Sequence, residues 1–356
     1  MNELWQPVTV GRMRLTHRLA LAPMTRSRAF PDGAPGPLAA EYYAQRASLG
    51  LLITEGTQPS DDGQGYLTTP GIYRAAHVAG WRTVTDAVHA EGGHLFIQLM
   101  HVGRISHPDN TPHHRQPLAP SAIASGTAMV TSAGRRPAPT PREMTADDIR
   151  QTVDDFRYAA ARAIEAGADG VEIHAANGYL LHQFLAPDAN HRTDGYGGSV
   201  AARSRLAIEV AEAVAGEIGA DRVGIRISPA QKIGGIDEGA PAGSQYRDLV
   251  ARLAPLGLAY LHVVHLSDEE LLRDIRRVWP GALLVLRVDR TPETLARDVE
   301  AGLADMVPIG RWALANPDVV DRLRRGAPLT AADRTTFYGG GAAGYTDYPR
   351  LAAGRS

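Results

Sequence analysis

The feature that most constrains this chain is a rhythm. Short runs rich in Val, Ile and Leu recur along it, each bounded by Gly, Pro or polar residues and followed by a helix-length amphipathic stretch. The candidate strands are Leu19 to Thr25, Leu49 to Thr57, His94 to His101, Gly170 to Ala175, Arg222 to Ser228, Tyr260 to Leu266, Ala282 to Val288 and Asp305 to Gly310. That is the number of strands that closes a parallel barrel. Between them, Thr145 three residues before Asp148, and Thr291 followed by Pro292, read as helix starts. Ile149, Val153, Phe156, Ala160 and Ile164 keep one helical face, and Gly167, Gly257 and Gly302 fall where helices should stop. The pattern predicts an α/β protein, a (β/α)8 TIM barrel forming a single domain over residues 1–356; a doubly wound open sheet is the alternative.

One stretch breaks the rhythm. His101 to Met144 separates the third strand from its helix with Gly, Pro, Ser and Thr throughout, too long for an ordinary connection. Segment 102–144 therefore reads as an inserted lid or pocket wall between strand 3 and helix 3, with a short hairpin around Thr127 to Arg136; a disordered surface loop is the other reading.

Charge excludes some function classes. With 37 basic and 39 acidic side chains, no basic face for nucleic acid is expected. No apolar run reaches membrane-spanning length, and the N-terminus lacks a basic lead into an apolar segment, so no membrane partner and a cytoplasmic location are expected. The absence of cysteine removes thiolate nucleophiles, Cys-ligated zinc and Cys-held iron–sulfur clusters. Lys232 is the only lysine, so any Schiff-base chemistry rests on that residue.

In a βα barrel the active site lies at the carboxyl ends of the strands. Here those ends carry Thr25 and Arg26, Glu55 to Thr57, Gln98 with His101, His174, Arg226 with Ser228, His265, and Gly310 with Arg311. That ring suits an aromatic, phosphate-bearing cofactor better than a metal: no H-E-x-x-H or similar ligand spacing occurs, and His113 and His114 are adjacent loop residues that point apart. No metal is expected. Gly339-x-Gly341-x-x-Gly344 matches a dinucleotide pattern but follows no strand and opens no helix, so it is set aside.

The densest constellation is Val171 to Tyr179. Alternation sends Glu172 and His174 to one side of the strand and Val171 and Ile173 to the other, placing His174 at the mouth with Asn177 and Tyr179 in the turn beyond. An imidazole and an amide so placed can donate to one oxygen, and a nearby phenol can supply a proton. Taken alone, the segment also fits a capping histidine and a packed tyrosine.

The flanking residues add a resemblance. Pro23-Met24-Thr25-Arg26, Gln98-Leu99 with His101-Val102-Gly103-Arg104, the His174/Asn177/Tyr179 segment, His182-Gln183-Phe184-Leu185, Arg192-Thr193-Asp194, Arg226-Ile227-Ser228-Pro229, Gly310-Arg311 and Phe337 to Tyr348 together resemble the Old Yellow Enzyme family of flavin-dependent ene-reductases. The resemblance covers nearly the whole chain, in family order. It implies non-covalent FMN at the barrel mouth, reduced by NADPH or NADH, with hydride passing from N5 to the β-carbon of an activated alkene such as an enone, maleimide or nitroalkene. It further implies FMN contacts from Pro23, Met24, Thr25, Gly56, Gln98 and Arg226, a phosphate grip from Gly310 and Arg311, an acceptor-oxygen site at His174 and Asn177, and Tyr179 as the acid for the α-carbon. Tyr66, Met100 and Tyr338 would wall the substrate pocket, and a monomer or homodimer would act on small molecules.

The chain departs from the family pattern at Met100, where an aromatic is common, at Ala230-Gln231-Lys232, where a Gly-Thr-Phe-like turn is usual, and at Arg287-Val288-Asp289-Arg290, where a Gly-containing phosphate turn is usual. A flavin-binding protein without turnover, and a βα-barrel lyase or aldolase using Lys232, are the competing functions.

Overall fold

The computed structural model describes residues 2–265 and 267–351. Eight parallel strands form one sheet: β1 Leu19–Leu21, β2 Leu51–Ile53, β3 Leu95–Leu99, β4 Gly170–Ala175, β5 Val223–Ile227, β6 Tyr260–His265, β7 Ala282–Arg287 and β8 Val307–Ile309. They lie in chain order, β8 pairs with β1, and a parallel bridge between Leu284 and Met306 joins β7 to β8, so the sheet closes as a (β/α)8 barrel. Each strand sits inside its expected run: β4 matches it end to end, and the others are shorter at one end or both; Leu266, expected in the sixth strand, lies outside the described residues.

Alternation along the strands sorts the core into two. Leu95, Ile97 and Leu99, Val171 and Ile173, Val223 and Ile225, and Leu261 and Val263 face outward into one large cluster with the helices. The inward set begins with Ala20, Leu51, Ile53, Phe96, Tyr260, Leu284 and Met306, closed from below by Val10, Met13 and Leu15 of an N-terminal hairpin, Val8–Val10 with Met13–Leu15, that the pattern did not suggest. Three residues per strand are too few to show a period. Gly224 is needed in this floor: a Cβ there would stand 2.2 Å from the Tyr260 ring, which the barrel interior uses as filling.

The outer helices are α1 Pro37–Ala44, α2 Ala75–Ala90, α3 Ala146–Glu165, α4 Leu180–Leu185, α5 Val200–Ile218, α6 Ala242–Leu253, α7 Glu269–Val278, α8 Arg297–Glu300, α9 Arg311–Ala315 and α10 Val319–Arg325. Thr145 caps α3 in a reciprocal box with Asp148, while Ser199 and Asp268 cap α5 and α7. The Thr291-Pro292 start opens only a 3-10 turn, Pro292–Thr294, before the single turn of α8. Between β3 and α3 lies an antiparallel hairpin, Ala128–Thr131 with Gly134–Pro137, and Arg104 anchors the segment by donating from Nη2 to the Gly235 carbonyl at 2.8 Å.

Candidate functional site

Above the apolar floor, the same inward alternation turns polar. Register sets Glu172 beside Gln98, and Arg226 beside both His174 and His262. Gln98 Nε2 donates to Glu172 Oε1 at 2.7 Å, and His262 Nδ1 lies 2.8 Å from Oε2. Burial opposes ionisation of Glu172, but His262, Arg226 and the Gln98 amide outweigh it and hold the carboxyl below its ordinary value. The Gln98 amide is thereby oriented, and the Arg226 guanidinium is left with a buried Nε that has no hydrogen-bond partner.

At the end of β4, His174 Nδ1 accepts the Ala176 N–H at 3.2 Å, so the neutral ring carries its proton on Nε2. Burial, then the charges of Arg226, His262 and His182, push this imidazole well below its ordinary value, which keeps it neutral. Asn177 is left-handed, with φ 59°, and brings Nδ2 to 3.5 Å from His174 Nε2. Two N–H donors at that separation do not serve each other; they form a fork for one external oxygen. Tyr179 stands edge-on to His174, with ring centres 4.9 Å apart, and its hydroxyl meets that of Tyr66 at 3.0 Å. Burial raises both phenols, but their contact lowers Tyr179 and raises Tyr66. Either hydroxyl can donate in this contact, so the two phenols form one hydrogen-bonded pair at the mouth.

Two cavities meet this layer. One, of about 230 Å³, is lined by Pro23, Met24, Arg226, Gly310 and Arg311 among others; the second, of about 570 Å³, by Thr25, Tyr66, Met129, Tyr179 and Tyr338. Arg287 and Arg290 also line the first, but Glu269 and Asp298 neutralise them, whereas Arg311 has no ion-pair partner among the described residues. Asp289 is exposed and does not line the cleft. A cleft lined by Arg311, which among the described residues donates only to the Val288 carbonyl, and by Arg226, with an unpartnered buried Nε, fits a flavin mononucleotide, anionic at its phosphate and polar along its pyrimidine edge.

Gly56 and Met100 work as a pair. A Cβ on Gly56 would stand 2.4 Å from the Met100 sulfur, so the glycine makes room for that side chain. Met100 is buried in a cluster with Met129, Tyr66 and Tyr179, behind the lining of the larger cavity. Tyr338, at 68% exposed, stands at its rim; Arg26 and Arg28 tie its loop down by donating to the Phe337 carbonyl. Glu172 and His262 had no assigned role in the sequence reading, although strand alternation marks both as inward. Among the described residues, one group has ligand-like spacing, Asp61, Asp62 and His113. Arg115 already pairs with Asp62, and its N–H holds His113 Nδ1, so the histidine's proton faces Asp62.

Comparison with known proteins agrees with this geometry. Residues 3–330 match the model of the NADH:flavin oxidoreductase / NADH oxidase family. The chain is 44% identical to a putative 12-oxophytodienoate reductase 5 of Oryza sativa subsp. japonica, over 96% of this chain and 92% of the relative. It is 41% identical to 12-oxophytodienoate reductase 2 of Arabidopsis thaliana, over 98% and 96%. Among solved structures, morphinone reductase in complex with tetrahydroNAD superposes with a TM-score of 0.95 at 42% identity, covering 99% of each chain. The old yellow enzyme homologue from Zymomonas mobilis gives 0.93 at 38%, covering 98% of this chain and 99% of that one. Such likeness over nearly the whole length of both sequence and fold places the chain in the NADH:flavin oxidoreductase family, as a member of the Old Yellow Enzyme group and an NAD(P)H-dependent flavin oxidoreductase with FMN as its cofactor.

Proposed function

We propose that the protein is an ene-reductase acting on small alkenes activated by a carbonyl or nitro group. The observation that carries this reading is the donor fork of His174 Nε2 and Asn177 Nδ2 with the Tyr179 phenol beside it on the wall of the larger cavity. Bound FMN supplies a two-electron hydride carrier between the nicotinamide and the alkene. The protein's residues do the rest. His174 and Asn177 hold the acceptor oxygen, and their hydrogen bonds strengthen as negative charge gathers there. Tyr179 delivers the proton to the α-carbon, from the cavity it lines with Tyr66 and Tyr338.

Thr25, Gln98 and Arg226 hold the flavin ring, with Pro23, Met24 and the Gly56 backbone alongside, and Gly310 with Arg311 holds the phosphate. Relatives whose names specify 12-oxophytodienoate or morphinone as substrate support a cyclic enone as the substrate class. Lys232 supports no aldolase reading: its side chain is 73% exposed, pairs with Asp237 and lines neither of these cavities. We place the protein in the cytoplasm as a monomer or homodimer; no described helix is long and apolar enough to cross a membrane.

The test is a visible spectrum of the purified protein, then anaerobic reduction with NADPH or NADH and reoxidation by cyclohexenone. About one FMN per chain and reoxidation by the enone faster than by air are expected. A colourless protein that takes up no FMN, or reduced flavin indifferent to enones, overturns the reading.

A further inference from the structure

The loop after β5, where the sequence departs from the family pattern at Ala230-Gln231-Lys232, packs against the back of the Asn177 turn. A Cβ on Gly178 would stand 2.7 Å from the Ile233 carbonyl oxygen, and one on Gly234 would stand 3.1 Å from the Gly178 Cα, so the two backbones touch. Between them lies an ionisable pair the proposed reaction does not use. His182, on α4, and Glu238, at the end of the loop, have side chains 0% and 2% exposed, with Nε2 and Oε1 3.1 Å apart.

Their outer contacts run in opposite directions. His182 Nδ1 accepts the Gly178 N–H at 2.9 Å, which puts a neutral ring's proton on Nε2, the atom nearest Glu238, although this close contact lacks hydrogen-bond alignment. Glu238 Oε2 accepts the Ala230 N–H at 2.7 Å. The two backbone groups held this way belong to strained turns: Asn177, with φ 59°, precedes Gly178, and Ala230 itself has φ 57°. The carboxylate presents one oxygen to the Ala230 N–H and the other to His182 Nε2, and, after burial, it also raises the Tyr246 phenol against it; an amide would keep one acceptor and present N–H in place of the other.

We propose that Glu238 and His182 form a positioning strap that fixes the Asn177–Tyr179 turn and so sets the affinity of the acceptor-oxygen site, without either residue touching the substrate. The donor fork needs Asn177 in its left-handed conformation, and the N–H groups on either side of that peptide have one partner each, Ser228 Oγ for Asn177 at 2.8 Å and His182 for Gly178. Loosening the second leaves the Asn177 side chain free to leave the fork. The inference rests on the proposed role of His174 and Asn177.

The experiment uses the flavin-loaded protein with Glu238→Gln, His182→Phe and the double variant. Hydrogen exchange at the Gly178 amide reads the turn, and titration with p-hydroxybenzaldehyde, followed by its long-wavelength band with the flavin, reads the oxygen site. Each single variant is expected to speed exchange at Gly178 and weaken the phenol by roughly 10-fold, the order for a donor misplaced rather than removed. The double variant is expected to be no weaker than the worse single, because the two residues act as one unit. The isosteric Glu238→Gln is the variant expected to keep the fold should His182→Phe fail to. Unchanged affinity, affinity lost with exchange unchanged, or strictly additive losses would each overturn the proposal. Absence of the phenol band in the unmodified protein would instead overturn the oxygen-site reading, and the exchange arm would still decide whether the pair holds the turn.

Discussion

Replacing Tyr179 by Phe removes one hydroxyl from the site and leaves the ring edge-on to His174, so flavin content should be retained. The cost to stability is the lost partner of the half-buried Tyr66 hydroxyl, about 1 kcal/mol. The cost to the reaction is larger. A placed general acid is worth roughly 10²–10⁴-fold, and reoxidation by cyclohexenone should slow by that much. Tyr66→Phe gives the matching contrast. It removes only the hydroxyl contact between Tyr66 and Tyr179, worth about 1 kcal/mol, so the same step should slow by roughly 5-fold at most. Anaerobic stopped-flow separates the half-reactions: reduction by NAD(P)H, and reoxidation by a quinone that solvent can protonate, should hardly change in either variant. Equal slowing of both half-reactions in Tyr179→Phe would mean that the phenol organises the flavin site. An enone step as slow in Tyr66→Phe as in Tyr179→Phe would mean that Tyr66 carries the proton.

Acid should destabilise the protein before its carboxylates titrate. Burial lowers His101 to about 4, against 6.5 when unfolded, so from pH 6.5 down to 4 the unfolded chain binds the proton first and about 3 kcal/mol of stability is lost, with His174 adding in the same direction. Urea midpoints at pH 7, 6 and 5 should fall steadily, and His101→Asn should flatten the slope; an unchanged slope would refute the assignment. Gly224→Ala forces a methyl against the Tyr260 ring and should cost about 1–3 kcal/mol or more in denaturant unfolding, with m unchanged. Arg226→Met should weaken FMN binding and leave the fold intact, read by flavin fluorescence released on dilution; full retention of FMN would remove Arg226 from the site. Thr145→Ala breaks the capping box of α3, at about 1 kcal/mol in the same unfolding assay, and should leave reoxidation rates alone.

The sequence by itself determined the strand count, the inward side of β4 and the cluster at its end. Those are properties of a two-residue period and of residues adjacent in the chain: Val171 and Ile173 do face the helices, while Glu172 and His174 face inward. The hairpin at Ala128–Pro137 was legible for the same local reason. The N-terminal hairpin that plugs the barrel was not, because its strands have three residues each. Nor could the sequence place Met100 behind the cavity wall, since that depends on Gly56, on a neighbouring loop, leaving space for its sulfur. The charges around the phosphate end were likewise undecidable: Arg287 and Arg290 look available in sequence, and only the packing of α7 and α8 brings Glu269 and Asp298 to neutralise them. The same holds for Glu238, 56 positions beyond His182 in the numbering and nowhere near it until the loop after β5 folds back on the Asn177 turn. Short-range periodicity writes which face a side chain takes; which distant charge it meets is decided by the closure of the barrel, because ion pairing and steric room depend on distances that only the folded chain defines.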